Sequence, residues 1–306
     1  MTNARIRTAL RGISGIHITP YDASGAIDLG LLKSVVTEMA DAGVHNIVSA
    51  GNTGEFYTLR LEEILRVHET SVEAVAGRAM ATAAVGRSLP DAVALARAAK
   101  KFGFDGVMAH HPQDPFAAPH GQADYFIELA ETSELPVIAY VRSDAISASD
   151  LARVAVHPNV AGVKFASPSL MLLAECIRLT RDRDAEWICG LAEGWAAPFY
   201  ALGARGFTSG LVNVAPQRSF AIWAALDKGD YANACRLVDE ISVFETMRTK
   251  YNNGANVTVV KEAMALLGRP VGPVRLPGLP RLEEADRQKL RDVLRGWRLP
   301  VSEERT

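Results

Sequence analysis

The stretch NVAGVKFASPS, residues 159–169, places a charged side chain at the end of an apolar run. Val160 to Val163 have the pattern of a buried strand, and Lys164 follows them directly. Because charged side chains are mostly exposed, a lysine in such a run needs a reason. One reason is chemical, since an amine in a dry pocket stays partly neutral and can attack a carbonyl group to form a Schiff base. A surface lysine at the end of an edge strand is the alternative, and this stretch alone leaves both open.

The rest of the chain alternates short β-like runs with stretches of helical apolar spacing. The β-like runs lie at residues 12–20, 46–51, 80–86, 106–110, 136–141, 160–166, 186–191 and 206–211. Asp91 and Ser149 stand where helix N-caps are expected, and Gly103 stands where a helix is expected to end. Strands that are each followed by a helix predict an α/β fold, a (β/α)8 TIM barrel. A doubly wound sheet is the alternative, but no GxGxxG fingerprint follows the first strand.

After the eighth strand the alternation stops. Residues 216–247 and 256–268 have helical patterns with no strand between them. A segment rich in Pro and Gly, residues 268–280, then precedes a polar helix at 283–296. We therefore predict a catalytic barrel domain of residues 1–225 and a C-terminal helical extension of residues 226–306 packed on the barrel.

Composition narrows the class of protein. The 306 residues include 33 basic and 35 acidic ones, and this balance argues against nucleic acid as a partner. No apolar run reaches the roughly 18 residues that a membrane span needs, and the N-terminus has no signal-peptide core. The three cysteines are widely spaced and odd in number, which argues against a disulfide framework. We predict a reduced, cytoplasmic globular protein.

Several polar residues fall at the predicted C-terminal strand ends, where barrel active sites form. Lys164 lies toward that end of the sixth strand and Tyr140 ends the fifth. The other residues near strand ends are Gly51, Asn52, Thr53, Arg142, Glu193 and Ser209. Independent strand ends with such residues favour a catalytic Lys164 over a surface lysine.

Five stretches together resemble the dihydrodipicolinate synthase / N-acetylneuraminate lyase family of Schiff-base-forming barrel enzymes. They are ITPYDASGAID (18–28), GNTGEFYTLRLEE (51–63), PVIAY (136–140), GVK (162–164) and GARGFTSGLVNVAP (203–216). The resemblance implies that Lys164 forms an imine with a 2-keto acid, usually pyruvate or a pyruvate-containing sugar acid. It also implies that Tyr140 carries protons and that the turn at Gly51, Asn52 and Thr53 receives the keto acid's carboxylate. No cofactor beyond the covalent imine is expected.

The chemistry of these side chains fits the implied roles. A tight turn that contains glycine offers backbone N–H groups to a carboxylate, beside the Asn52 and Thr53 side chains. A protonated imine is an electron sink, and Tyr140 can act as an acid or base when the iminium lowers its pKa. The alternatives are an aromatic residue filling the barrel mouth for Tyr140 and a turn-forming hydroxyl for Thr53.

Departures from the synthase pattern favour another branch of the family. Ala145 stands where the synthase has an arginine for its second substrate, and Asn52 replaces a threonine of its proton relay. HHPQDPF, residues 110–116, stands where the relay's tyrosine segment falls. TGEFYTL, YVRSD and GPVRLP are instead similar to the 5-dehydro-4-deoxyglucarate dehydratase branch. This likeness implies loss of water, with decarboxylation, from a deoxy-keto sugar acid.

Three further residues are candidates for substrate binding. Arg142 can pair with a distal carboxylate bidentately, or it is an exposed loop arginine. Glu193 matches an acidic residue that contacts substrate hydroxyl groups in the neuraminate lyase branch, or it is an ordinary glutamate at a helix N-terminus. Ser209 is predicted to shape the pocket.

His110, His111 and Asp114 suggest a divalent metal at first sight. Adjacent histidines on a strand point to opposite faces, however, and cannot easily bind one ion. We predict no metal site, with the histidines lining the pocket or a subunit contact.

Taken together, the sequence predicts a class I lyase that acts on a small-molecule 2-keto acid, with hydro-lyase favoured over aldehyde-lyase chemistry. A pyruvate-dependent aldolase or a dihydrodipicolinate-synthase-like condensation is the enzymatic alternative. A non-catalytic keto-acid-binding paralogue is the alternative from another class. The resemblance also implies a homo-oligomer, a dimer or a tetramer.

Overall fold

The computed structural model describes residues 3–302 and contains a closed barrel of parallel strands in sequence order. The strands are β1 (Ile13–Ile16), β2 (Asn46–Ser49), β3 (Met80–Val85), β4 (Gly106–Ala109), β5 (Val137–Val141), β6 (Val160–Phe165), β7 (Trp187–Cys189) and β8 (Phe207–Ser209). Every strand residue is buried, because side chains fill the inside of the barrel and helices cover its outside. The predicted (β/α)8 barrel is confirmed.

Helices surround the barrel and continue beyond it. They are α1 (Asn3–Leu10), α2 (Leu29–Asp41), α3 (Leu61–Val75), α4 (Leu89–Phe102), α5 (Pro119–Thr132), α6 (Ala148–Ala155), α7 (Leu170–Leu179), α8 (Ala196–Leu202), α9 (Pro216–Asp227), α10 (Tyr231–Asn253), α11 (Asn256–Leu266) and α12 (Glu284–Gly296). The helical C-terminal extension is confirmed, whereas the domain division between residues 225 and 226 stays a prediction and falls within α9. None of the helices within residues 3–302 has the length and apolarity to cross a bilayer.

The helix caps differ from the predicted ones. The N-cap of α4 is Ser88, whose side chain accepts from the Asp91 N–H, and the N-cap of α6 is Ser147. The N-cap predictions at Asp91 and Ser149 were therefore wrong, because an upstream serine fills the capping position in each case. Gly103 ends α4 with a φ of 91°, as predicted.

The predicted helical stretch 216–247 is two helices. Gly229, with a φ of 74°, separates α9 from α10. At its end α10 changes course, because Lys250, Tyr251 and Asn252 have non-helical backbone angles. This bend leads into α11, which contacts the turns that follow β2 and β8. The extension is thereby brought over the mouth of the barrel.

A buried ion pair joins α11 to the turn after β2. Lys261 Nζ lies 2.5 Å from Glu55 Oε1, and their side chains are 2% and 3% exposed. Lys261 Nζ also donates to the Pro273 carbonyl at 3.3 Å and lies 4.1 Å from the centre of the Tyr21 ring. Burial lowers the pKa of Lys261 to about 8, while the charge of Glu55 acts in the opposite direction.

The Pro/Gly-rich segment 268–280 is attached at the same place. The Arg275 N–H donates to Glu55 Oε2 at 2.9 Å, and its guanidinium donates to both oxygens of Glu63 at 2.9 Å. The Arg275 guanidinium also lies 4.2 Å from the centre of the Tyr21 ring, which Lys261 contacts as well. The extension thus holds the turn after β2 through two cations and two carboxylates.

We expect Lys261→Met to lower the free energy of unfolding by about 3–5 kcal/mol, because Glu55 would remain buried without its counter-ion. The double variant Lys261→Met/Glu55→Gln should recover most of this loss. Urea denaturation followed by circular dichroism measures both changes.

Arg236→Met is the matched control, because Arg236 pairs with Glu240 on the exposed face of α10. Its cost should stay below about 1 kcal/mol. A cost for Lys261→Met no larger than that of the control would contradict the importance of the buried pair.

Candidate active site

Lys164 lies near the C-terminal end of β6 and is 4% exposed. Its Nζ stands 3.7 Å from the centre of the Tyr140 ring. Burial, and after it the positive charge of Arg142, lower the pKa of Lys164 to about 7, against a smaller opposing effect of Cys189. The ammonium form has lost its water shell and gains no carboxylate partner among residues 3–302, so the neutral amine is well populated near neutral pH. Such an amine is a competent nucleophile for a carbonyl carbon.

Tyr140 lies beside Lys164 because the two residues are in register between β5 and β6. The Tyr140 hydroxyl accepts a hydrogen bond of 2.9 Å from Asn52 Nδ2. Burial raises the pKa of Tyr140, while Arg142 and the Asn52 hydrogen bond act against this rise. The phenol is therefore protonated before any reaction, and a new positive charge beside it would favour release of its proton.

The turn after β2 has the geometry of an anion cradle. It runs through a short 3₁₀ helix, Asn52–Gly54, between the left-handed residues Ala50 and Glu55. A Cβ atom at Gly51 would lie 2.7 Å from Ile16 Cγ2, so only glycine fits there. The N–H groups of Asn52 and Thr53 donate to no acceptor within residues 3–302. Free N–H groups at such a turn suit a carboxylate.

A cavity of about 530 Å³ opens above Lys164 at the C-terminal mouth of the barrel. Five of the predicted site residues line it: Lys164, Tyr140, Asn52, Thr53 and Arg142. The ionisable groups in its wall are two guanidinium groups, the Lys164 amine and one carboxylate; the residues are Arg142, Arg248, Lys164 and Glu245. An excess of positive charge favours an anionic ligand.

Three predicted residues, Gly51, Glu193 and Ser209, are not among those that line the cavity. Glu193 is fully buried, and its Oε1 accepts hydrogen bonds of 2.5 Å from Ser209 and Ser219. Burial, and after it the charge of Glu245, raise the pKa of Glu193. In this arrangement Glu193, in the loop after β7, is hydrogen-bonded to Ser209 of β8 outside the cavity lining. A contact with substrate stays a prediction for both residues.

The histidine pair lies beside the site. His110 is fully buried and stacks on Phe56, with ring centres 4.1 Å apart. Burial lowers the pKa of His110 well below its usual range and that of His111 to about 4, so both rings are neutral at neutral pH. Neither histidine lines the cavity. Across residues 3–302, no cluster of three His, Cys, Asp or Glu side chains has the geometry of a metal site.

Sequence reasoning missed the part of the cavity wall that comes from the C-terminal extension. Glu245 and Arg248 of α10 and Asn256 of α11 all line the cavity. The available signal was the polar stretch TMRTKYNNGAN, residues 246–256, which interrupts a helical pattern without an apolar stripe. Nothing in that stretch indicates that it meets the barrel mouth.

Comparisons with known proteins agree with this geometry. The sequence model of the Dihydrodipicolinate synthetase family matches residues 9–296. A 4-hydroxy-tetrahydrodipicolinate synthase of Methanoculleus marisnigri is 36% identical over 290 residues, 92% of this chain and 98% of that protein. A "Probable 5-dehydro-4-deoxyglucarate dehydratase" of Xanthomonas campestris is 29% identical, over 94% of this chain and 95% of that protein. The crystal structure of dihydrodipicolinate synthase from Bacillus clausii superposes with a TM-score of 0.93 at 39% identity, covering 96% of this chain and 100% of that one.

We expect the reactivity of Lys164 to depend on pH in a way that exposed lysines do not share. Competitive labelling with acetic anhydride, read by mass spectrometry, should give a labelling midpoint near pH 7, because the amine reacts only when neutral. Arg142→Met should move the midpoint to higher pH, since one cation that disfavours the ammonium form is removed.

Lys250 is the internal control in the same digest, because it lies outside the cavity and its ion pair with Asp286 raises its pKa. Its labelling midpoint should lie at a higher pH than that of Lys164. A Lys164 midpoint as high as that of Lys250 would contradict the proposed environment of the amine.

Proposed function

The chain belongs to the Dihydrodipicolinate synthetase family of lyases, and from this premise we propose that it forms a Schiff base between Lys164 and a 2-keto acid. The observation that carries the proposal is the buried amine of Lys164, which has a pKa of about 7 and lies 3.7 Å from the Tyr140 ring centre. The neutral amine attacks the keto carbon, and loss of water gives the iminium. The keto acid's carboxylate then lies at the free N–H groups of Asn52 and Thr53.

Tyr140 carries the protons in this scheme. Its hydroxyl, oriented by Asn52, donates a proton as the keto oxygen leaves as water. The iminium formed beside it lowers the pKa of the phenol, so that the phenolate can remove a proton from the carbon next to the imine. The product of this step is an enamine, whose electron pair is available for the next bond change.

We further propose that the next step is dehydration of a deoxy-keto sugar acid such as 5-dehydro-4-deoxyglucarate. The enamine expels the hydroxyl group from the neighbouring carbon as water, which leaves a conjugated iminium. That iminium can accept the electron pair of the bond to the distal carboxylate, so carbon dioxide leaves and one proton is taken up. Arg142, in the cavity wall beside Lys164, is the partner for the distal carboxylate before it leaves.

A second candidate is the condensation of pyruvate with an aldehyde, because the 36% identical relative is named a 4-hydroxy-tetrahydrodipicolinate synthase. The sequence weighs against it at two points. Ala145 stands where the synthase pattern has an arginine that holds its second substrate, and Asn52 stands where that pattern has a threonine of its proton relay. Assembly into a homo-oligomer and a cytoplasmic location stay predictions.

Borohydride reduction in the presence of pyruvate should leave a stable adduct on Lys164, located by peptide mass spectrometry. Lys164→Ala should give no adduct, while its circular dichroism spectrum stays that of the wild-type chain. An adduct on another lysine, or none with pyruvate and none with 5-dehydro-4-deoxyglucarate, would rule out the Schiff-base assignment.

Tyr140→Phe should lower kcat with 5-dehydro-4-deoxyglucarate by about 10²–10⁴-fold, because it removes the proton carrier and keeps the ring over Lys164. Carbon dioxide release and formation of the keto aldehyde measure turnover. Tyr125→Phe is the matched control and should retain nearly full activity, because Tyr125 lies on α5 outside the cavity. Turnover of pyruvate with an aldehyde, and none of the sugar acid, would favour the condensation instead. An adduct without turnover of any keto acid would favour the non-catalytic paralogue.

A further inference from the structure

Arg248 holds two other residues of the cavity wall in place. Its side chain is only 4% exposed, Nη1 donates to Glu245 Oε1 at 2.7 Å, and Nη2 donates to Asn256 Oδ1 at 3.0 Å. A buried guanidinium needs a counter-ion, and Glu245 provides it. We call Glu245, Arg248 and Asn256 the Arg248 frame. Because its two charges cancel, the frame is better suited to polar neutral groups than to a further carboxylate.

The frame has one acceptor and one donor left over besides Arg248 Nε, which also has no partner within residues 3–302 but is itself buried. The second carboxylate oxygen of Glu245 and the Nδ2 of Asn256 have no partner within residues 3–302. A carboxylate oxygen only accepts hydrogen bonds, and an amide nitrogen only donates them. A carboxylate ligand could use only the donor, whereas hydroxyl groups, which both donate and accept, can satisfy both atoms.

Gly210, just after β8, places the frame beside the carboxylate turn. A Cβ atom at this position would lie 2.8 Å from Arg248 Nη2 and 3.5 Å from Thr53 Cγ2. The absence of a side chain at Gly210 therefore leaves room for the Arg248 guanidinium, and the Thr53 side chain borders the same space. A keto acid held at Lys164 and Thr53 has the frame within reach of its carbon chain.

We propose that Glu245 and Asn256, held by Arg248, bind hydroxyl groups on the chain of the substrate. The substrate class is then a polyhydroxylated 2-keto acid rather than a plain keto acid. This inference rests on the proposed function, because it needs the keto acid to be bound at Lys164. Arg142 remains the partner for the distal carboxylate. Arg142 and the Arg248 frame therefore bind different groups of the same ligand.

The test compares two six-carbon keto diacids that differ in their hydroxyl groups. These are 5-dehydro-4-deoxyglucarate, which carries hydroxyl groups, and 2-oxohexanedioate, which has none. Borohydride trapping and mass spectrometry give the concentration of each acid at which half of Lys164 is modified. In the wild-type chain this concentration should be at least about tenfold lower for the hydroxylated acid, because hydrogen bonds to charged groups are the stronger ones.

Glu245→Gln and Asn256→Ala should each reduce this ratio to within about threefold. Glu245→Gln keeps an oxygen for Arg248 but replaces the charged acceptor with a neutral amide, and Asn256→Ala removes the Nδ2 donor while Glu245 still pairs with Arg248. The loss of charge in Glu245→Gln acts on both diacids alike, so the ratio reports on the hydroxyl contacts. Glu240→Gln, on α10 but outside the cavity, is the matched control and should leave the ratio unchanged.

Equal half-modification concentrations in the wild-type chain would overturn the inference. So would a tenfold ratio that survives in both frame variants. Absence of any adduct from either diacid would overturn this inference where pyruvate still gives an adduct on Lys164, and would overturn the Schiff-base function itself where pyruvate gives none.

Discussion

The geometry of the cavity depends on the buried ion pair between Lys261 and Glu55. Glu55 follows the 3₁₀ turn of Asn52 and Thr53 directly and has a left-handed φ of 63°. Lys261 belongs to α11, the helix that begins with Asn256. Separating two buried charges costs several kcal/mol, so the turn and α11 cannot move independently. One contact thus fixes both the turn that we assign to the keto acid's carboxylate and the wall that faces it.

Tyr21, in the loop after β1, and Arg275, in the segment 268–280, also take part in this constraint. The Tyr21 ring lies about equally far from Lys261 and Arg275, at 4.1 and 4.2 Å, so its electron-rich face stabilises two cations that would otherwise repel each other. Arg275 belongs to GPVRLP, a stretch that the sequence marked only by its likeness to one branch of the family. The structure gives this stretch a physical role, because it holds Glu55 and Glu63 and, through them, the carboxylate turn.

The sequence predicted which residues lie at strand ends. It did not predict the directions in which other side chains of the site point. Lys164 and Tyr140 could be placed because consecutive strands of a barrel bring their C-terminal ends together. The direction of Glu193 could not, since Ala192 before it has a φ of 65° and a ψ of −168°, a conformation almost confined to glycine. The Arg248 frame was equally hidden: helical spacing puts Glu245 and Arg248 on one face, but it does not say which element that face meets.

Arg142 has two opposing effects in the proposed reaction. Before substrate binds, its charge adds to the larger effect of burial in lowering the pKa of Lys164, and it thereby increases the share of neutral amine that can attack. Once an iminium has formed, the same charge would disfavour it. A distal carboxylate paired with Arg142 cancels that repulsion, so a diacid stabilises its own iminium while pyruvate does not. Substrate choice and amine reactivity are then coupled through one guanidinium, without any movement of the backbone.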